Sequence, residues 1–335
     1  MHMVYIYKKI IADKAYYYLR ASQKKGSKTI VKDIAYLGSK IKDVKDALEK
    51  LPKYKEQIRK AYTLMNIALE SNLYLEKIHA SKIKKNDYLD YGLLTEIEAC
   101  KLHYNTVFKK MHELTKQEIF KNFIIEFAYN TASIEGNTIK LIEARNLLQE
   151  GFTPKNKTLR EIYDLQNTET IFNSLFTSKE DINHELIIDI HTGLLKNIDS
   201  RIGYRTEDVR VFKSRFDSSP AQYVKTDMGL LLKWYNENKN NLHPLVLAAV
   251  FHHKFEKIHP FMDGNGRTGR MLLNYILLRN DYPPLIIHAK KRKEYLDALD
   301  EADDSKPTSF NKKEYTQLLG FAADEMIASY WGIFL

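Results

Sequence analysis

Apolar and polar positions follow two different periods along this chain. In the first forty residues Tyr5-Ile6-Tyr7, Ala15-Tyr16-Tyr17-Tyr18-Leu19, and Thr29-Ile30-Val31 with Ile34-Ala35-Tyr36-Leu37 are aromatic and β-branched runs. Polar turns at Ala12-Asp13-Lys14 and over 22–28 separate them, so the pattern predicts a small three-stranded antiparallel meander over 1–40. Beyond Gly38 strand signals nearly vanish. Ile58, Tyr62, Met65, Ile67 and Leu69 recur at helical spacing, predicting a long helix over about 52–83 within a helical linker region, 41–94, and 86–91 reads as a connector.

Start and stop signals then mark one helix after another. Thr95 with Glu98, Thr115 with Glu118 and Thr158 with Glu161 have the spacing of capping boxes. Gly151 follows an amphipathic run and reads as a helix stop. Further helices are expected near 184–196, 220–240, 243–257, 265–280, 289–304 and 309–330. Inside this array Val209-Arg210-Val211-Phe212 leads to Asp217-Ser218-Ser219-Pro220, a short extended flap closed by a turn. Val209, Val211 and Phe212 give that flap an edge on which an extended segment of a target protein could pair.

Composition narrows the class. A single cysteine, Cys100, excludes an intramolecular disulfide and a cysteine-built zinc site, and suits a reducing compartment. No stretch approaches the roughly 18 apolar residues of a membrane span, and the first residues lack the pattern of a signal peptide, so a cytoplasmic location without membrane contact is expected. The 335 residues are 44% hydrophobic and 28% charged, which fits a compact helical protein. Charge is unevenly placed: residues 1–90 hold 20 Lys and Arg against 10 Asp and Glu, and the rest of the chain is nearly balanced. That segment admits contact with nucleic acid or an acidic protein, although a solvated lysine-rich surface is the commoner meaning of such a run.

The densest chemistry is His259-Pro260-Phe261-Met262-Asp263-Gly264-Asn265-Gly266-Arg267-Thr268-Gly269-Arg270, between two strongly helical segments. Pro260 cannot continue the first helix, and Gly264 and Gly266 allow a tight turn into the second. The loop therefore ends on a helix N-terminus, where unpaired N–H groups and dipole favour an anion. Arg267 and Arg270 add permanent cations suited to phosphate oxygens. Asp263 is the hard oxygen ligand that Mg²⁺ takes alongside substrate phosphates. His259 can accept a proton near neutral pH. Gly264-x-Gly266-x-x-Gly269 matches the dinucleotide fingerprint in letters, but a helical segment precedes it and no acid stands about 20 residues on. No Walker lysine is present. A zinc site from His252, His253, Glu256, His259 and Asp263 would leave Asn265, Arg267 and Arg270 without a purpose.

At every specified position, 259–270 resembles the Fic family signature HPF-x-[DE]-GNGR-x-x-R. Gly203-Tyr204-Arg205, the flap, Trp234, Leu242-His243-Pro244-Leu245 and Tyr282-Pro283-Pro284 fall where Fic domains carry similar elements. The resemblance covers roughly 95–305 and leaves a C-terminal helix over 306–335. It implies a mainly α fold, a Fic-type helical core with a short β flap, preceded here by the β meander and a long helix. It further implies a protein adenylyltransferase that moves AMP from ATP to a Ser, Thr or Tyr hydroxyl of a target protein and releases pyrophosphate. Carried over by position, His259 deprotonates that hydroxyl and Asp263 binds Mg²⁺. Gly264, Asn265, Gly266 and Arg267 hold phosphate oxygens, Arg270 takes the γ-phosphate, and Asn274 meets the adenosine. Phe261 packs in the core. Thr131-Ala132-Ser133-Ile134-Glu135-Gly136-Asn137 resembles the [S/T]-x-x-x-E-[G/N] inhibitory motif of the family class whose inhibitory helix precedes the core, which makes Glu135 an inhibitor expected to form a bidentate pair with Arg270. The resemblance also admits a homodimer, removal of AMP as the reverse activity, and a nucleic-acid- or protein-binding regulator that carries a Fic domain.

Overall fold

The computed structural model describes residues 3–12, 14–25, 28–209, 218–303 and 311–335. Of the expected flap, Val209 is among them, and Val211 and Phe212 lie outside the described residues.

The meander forms as three antiparallel strands, β1 (Met3–Ile11), β2 (Lys14–Lys25) and β3 (Lys28–Gly38), in the order β1-β2-β3. The polar stretch expected to turn over 22–28 instead extends the ladder: Ser22 pairs with both Met3 and Val31, and Lys25 with Lys28. Polar residues suit strands whose side chains there meet solvent, so composition misplaced the turn. Val4, Tyr17, Leu19 and Leu37 face inward and pack with Ile41, Val44 and Leu48 of helix α1 (Ile41–Glu49).

The single helix expected over 52–83 is broken. A 3₁₀ turn at Pro52–Tyr54 leads into α2 (Lys55–Lys60), and α3 (Tyr62–Ser81) begins after Ala61, which leaves helical geometry at φ −102°, ψ 13°. Ala61 is buried beside the sheet with Met65 and Leu69, so packing of a small residue, rather than any helix breaker in the sequence, sets the break. Leu73, farther along α3, packs against the sheet core and the larger helical core alike.

The helices that follow are α4 (Tyr91–Thr106), α5 (Glu113–Ile134), α6 (Leu141–Glu150), α7 (Leu159–Thr177), α8 (His184–Leu194), α9 (Val224–Asn238), α10 (Pro244–Ile258), α11 (Asn265–Arg279), α12 (Arg292–Ala302) and α13 (Lys312–Ile333). All but α6 contribute to that larger core, and Ala144 and Leu147 of α6 pack with Ala128, Ala132, Ile162 and Leu165 in a smaller cluster against α5 and α7. Helices α10 and α11 pack on each other at the centre of the larger core and are buried on nearly every face. The C-terminal α13 belongs to the same core, with Tyr315, Ala323, Met326 and Tyr330 fully enclosed.

Of the three capping boxes only Thr158 with Glu161 forms. Thr95 and Thr115 lie inside helices that start earlier. Asp90 caps α4 by accepting from the Gly92 N–H at 2.8 Å, and Thr95 Oγ1 turns back to donate to the Tyr91 carbonyl at 2.7 Å. Gly151 does end α6, at φ 75°. Among the described residues no helix is long and apolar enough to cross a membrane.

Candidate active site

The loop between α10 and α11 is held from within. His259, the last residue of the turn leaving α10, adopts φ 52°, ψ 59°, a left-handed conformation unusual for a residue with a side chain. Arg205 fixes it there: its Nε donates to the His259 carbonyl at 2.8 Å and its backbone N–H donates to the Pro260 carbonyl at 2.9 Å. Phe261 is fully buried and stacks on His191 with ring centroids 3.7 Å apart. His191 Nε2 lies 3.0 Å from the Asp263 carbonyl. Asn265 closes the turn, accepting from the Phe261 N–H at 2.9 Å and donating to the Phe261 carbonyl at 2.8 Å. Gly264 sits at φ 77°, and a Cβ there would come within 2.6 Å of Leu195 Cδ2.

Helix α11 starts at this loop without a side-chain cap, which leaves its first N–H groups directed at the space before it. Two buried guanidinium groups stand beside them. Arg267 is paired with Asp164 of α7 and lies 3.5 Å from Asp263 Oδ1, while its buried Nε has no hydrogen-bond partner. Arg270 donates from Nε to Thr131 Oγ1 at 2.7 Å and from Nη2 to the Thr131 carbonyl at 3.1 Å and to Glu135 Oε1 at 2.6 Å. The contact with Glu135 is thus through one carboxylate oxygen, and the expected bidentate pair gives way because Thr131 takes the other side of the guanidinium. That oxygen also lies over Gly266, where any Cβ would collide with it.

Electrostatics follow the burial. Desolvation lowers the His259 pKa below its ordinary value of 6.5, with Arg205 adding to the shift, so the imidazole is neutral at pH 7. Asp263 is held below the usual carboxylate range: burial opposes this, and Arg267 and Arg160 outweigh it. Its Oδ1 accepts from the Gly264 N–H at 2.7 Å, and its Oδ2 is paired with Arg160. Burial, with the Glu135 charge adding to it, pushes Glu256 up to about 8 against the pull of Arg270, so this neighbour is mostly protonated at neutral pH.

Residues 181–277 match the model of the Fic/DOC family. Those residues carry a Fic domain. The protein adenylyltransferase fic-1 of Caenorhabditis elegans is 29% identical over 221 residues, covering 64% of this chain and 43% of the relative. The protein adenylyltransferase Fic of Drosophila melanogaster is 33% identical over 185 residues, covering 52% and 36%. The chain therefore spans about two fifths of the length of the curated relatives it matches. In fold it resembles a Fic-domain-containing signaling protein of Bacteroides thetaiotaomicron, with a TM-score of 0.65, 23% identity and coverage of 70% of this chain and 94% of that one.

The fold brings His259, Asp263, Gly264, Gly266, Arg267 and Arg270 of the matched stretch and Glu135 from outside it around one space, although Glu135 is 124 positions upstream of His259. Asn274 lies apart: its side chain is 1% exposed, donating to the Arg270 carbonyl at 3.1 Å and accepting from the Leu285 N–H at 2.7 Å. Sequence reasoning missed Asp164, Arg160 and His191, and saw Arg205 only as part of a matching neighbourhood. The one signal for Asp164 and Arg160 was the capping box at Thr158, which places both on the first turns of a helix. His252 and His253, weighed as zinc ligands, are buried against Tyr295 and against Tyr315 and Asp303. No group of three His, Cys, Asp or Glu among the described residues could hold a metal.

Proposed function

We propose that this chain is an autoinhibited protein adenylyltransferase, which transfers AMP from ATP to a Ser, Thr or Tyr hydroxyl of a protein. The observation that carries the reading is a neutral, positioned histidine next to an uncapped helix N-terminus with two buried arginines. His259 accepts the hydroxyl proton as the oxygen bonds to the α-phosphorus, and the bond from that phosphorus to the bridging oxygen breaks, releasing pyrophosphate. Arg267 and the first N–H groups of α11 hold phosphate oxygens, and the partnerless Nε of Arg267 supports that role because a buried donor is costly to leave unpaired. Asn265 acts by holding the loop in shape, and Asn274 by bracing α11, since both amides are engaged with backbone.

Asp263 fits Mg²⁺. It is a single ionised carboxylate, the complement such an ion takes when phosphates and water complete its shell. The Arg160 side chain that pairs with it is 56% exposed and free to swing outward. Bound there, the ion would neutralise phosphate charge.

Glu135 supplies the inhibition. Its carboxylate rests on Arg270 and over Gly266, an anion in the place where a terminal phosphate would go. ATP then either stays out or binds with its α-phosphate displaced from His259, and a displacement on the order of 1 Å can cost about a hundredfold in rate. The reading is tested with ATP labelled on the α- or the γ-phosphate. Label is expected to enter protein from the α position only, and His259→Ala should abolish its entry while nucleotide binding persists. Transfer of γ-label, or unchanged transfer by His259→Ala, would contradict it.

A further inference from the structure

The N-terminal sheet has a second face that adenylyl transfer does not use. Side chains alternate across a strand, so with Val4, Tyr17 and Leu19 packed inward the register sets Tyr7, Tyr18 and Tyr36 in one row across all three strands on the opposite face. The Tyr18 and Tyr36 rings are 5.4 Å apart, Tyr16 adds a ring 6.5 Å from Tyr36, and the Arg20 guanidinium lies 3.3 Å above the Tyr7 ring. Tyr36 is 55% exposed. With strands about 4.8 Å apart the row spans about 10 Å, enough for two or three stacked bases.

The charge around these rings is predominantly positive. Residues 1–40 contain nine Lys and Arg and only two acids, Asp13 and Asp33. Lys9, Lys14 and Lys24 share the tyrosine face by strand parity and are exposed, while Asp33, the acid described on that face, is paired with Arg20. A merely solvated surface has no use for a row of aromatic rings, and an apolar partner has none for the lysines. A polyanion with flat, unpaired faces uses both.

We propose that this sheet face binds single-stranded nucleic acid, with bases stacked on Tyr18, on Tyr36 and on the Arg20 guanidinium that covers Tyr7, and phosphates held by the flanking lysines. A duplex offers the rings only the edges of its bases, so it gains the charge contacts alone. Stacking and phosphate contacts read neither sugar, so DNA and RNA strands bind alike. The inference is independent of the transferase reading, since it involves no residue of the Fic loop.

The test is fluorescence anisotropy of the full-length chain with labelled oligothymidylate and oligouridylate on the order of twelve nucleotides long. Saturable binding is expected for both, within about threefold of each other, with a log K against log salt slope near −2 from about three phosphate contacts. Tyr18→Ala and Tyr36→Ala should each weaken binding about tenfold. Replacing Lys9, Lys14 and Lys24 with Gln should flatten the salt dependence, and a blunt duplex of equal length should bind at least about tenfold more weakly. The thermal transition of each variant, expected to match wild type because these side chains lie off the sheet core, separates lost contacts from lost folding. Absence of binding, duplex binding as tight as single-strand binding, or tyrosine variants that bind normally would each overturn the proposal.

Discussion

His259 is placed by its neighbours more than by its own side chain. Arg205 grips its carbonyl, and burial keeps its imidazole unprotonated. A base must be unprotonated to act, so a lowered pKa extends activity toward acid. The rate of AMP transfer is expected to rise with pH only in the acidic range and to level off below the ordinary histidine value of 6.5. A pH–rate profile reads this directly, and a plateau reached only above that value would contradict the assignment. Arg267 makes a second residue-level case. Its guanidinium is 3% exposed and its main counter-charge is Asp164. Asp164→Ala leaves a buried cation without that partner and should cost about 3 kcal/mol in urea denaturation, with Asp164→Asn costing less because a hydrogen bond survives. Equal stability of wild type and Asp164→Ala would show that Arg267 is carried by other contacts.

At the scale of elements, α7 ties the segment after Glu135 to the loop at 259–270. Glu161 completes the cap at Thr158 and also accepts from the Thr138 N–H at 3.0 Å and from Thr138 Oγ1 at 2.6 Å, while Asn137 donates to the Glu161 carbonyl at 2.9 Å. One helix turn thus holds the chain just after Glu135 and presents Asp164 and Arg160 to the loop. Thr158→Ala should cost about 1 kcal/mol as the loss of a cap. Glu161→Ala should in addition raise basal auto-modification severalfold by loosening the Glu135 segment; the same stability loss without any gain in activity would separate the cap from the inhibition. Such links explain what the sequence could and could not reveal. A capping box is legible wherever it forms, but Thr95 and Thr115 carry the same letters, and only the earlier start of their helices makes the boxes idle. The break at Ala61 has no local signal at all, because a buried contact with the sheet creates it.

Across the whole molecule, the sheet and α1 form one core, the later helices build a larger one with a small cluster of α5, α6 and α7 beside it, and α3 runs between the first two. The contiguous part of the site, 259–270, was readable because chemistry and backbone demands coincide within twelve residues. Glu135, at the end of a helix far upstream, was readable only through its family motif, and Asp164 and Arg160 only as positions in the first turns of a capped helix, since a pairing across more than a hundred residues leaves no periodicity in the chain. The burial that hides these pairings also couples them: a buried Arg270 without Glu135 is left short of a counter-charge, and in the proposed function the terminal phosphate of ATP replaces it.

Auto-modification of purified protein with ATP and Mg²⁺, followed by intact mass, measures that competition most directly. Glu135→Gly should acquire AMP at least about tenfold faster than wild type, since the displaced α-phosphate regains its alignment with His259. The gain should vanish in Glu135→Gly/His259→Ala, and Arg270→Ala should not reproduce it, because the phosphate loses its partner together with the inhibitor. If folded Glu135→Gly protein modifies itself no faster than wild type, the carboxylate on Arg270 does not restrain this enzyme, and the account of its inhibition is wrong.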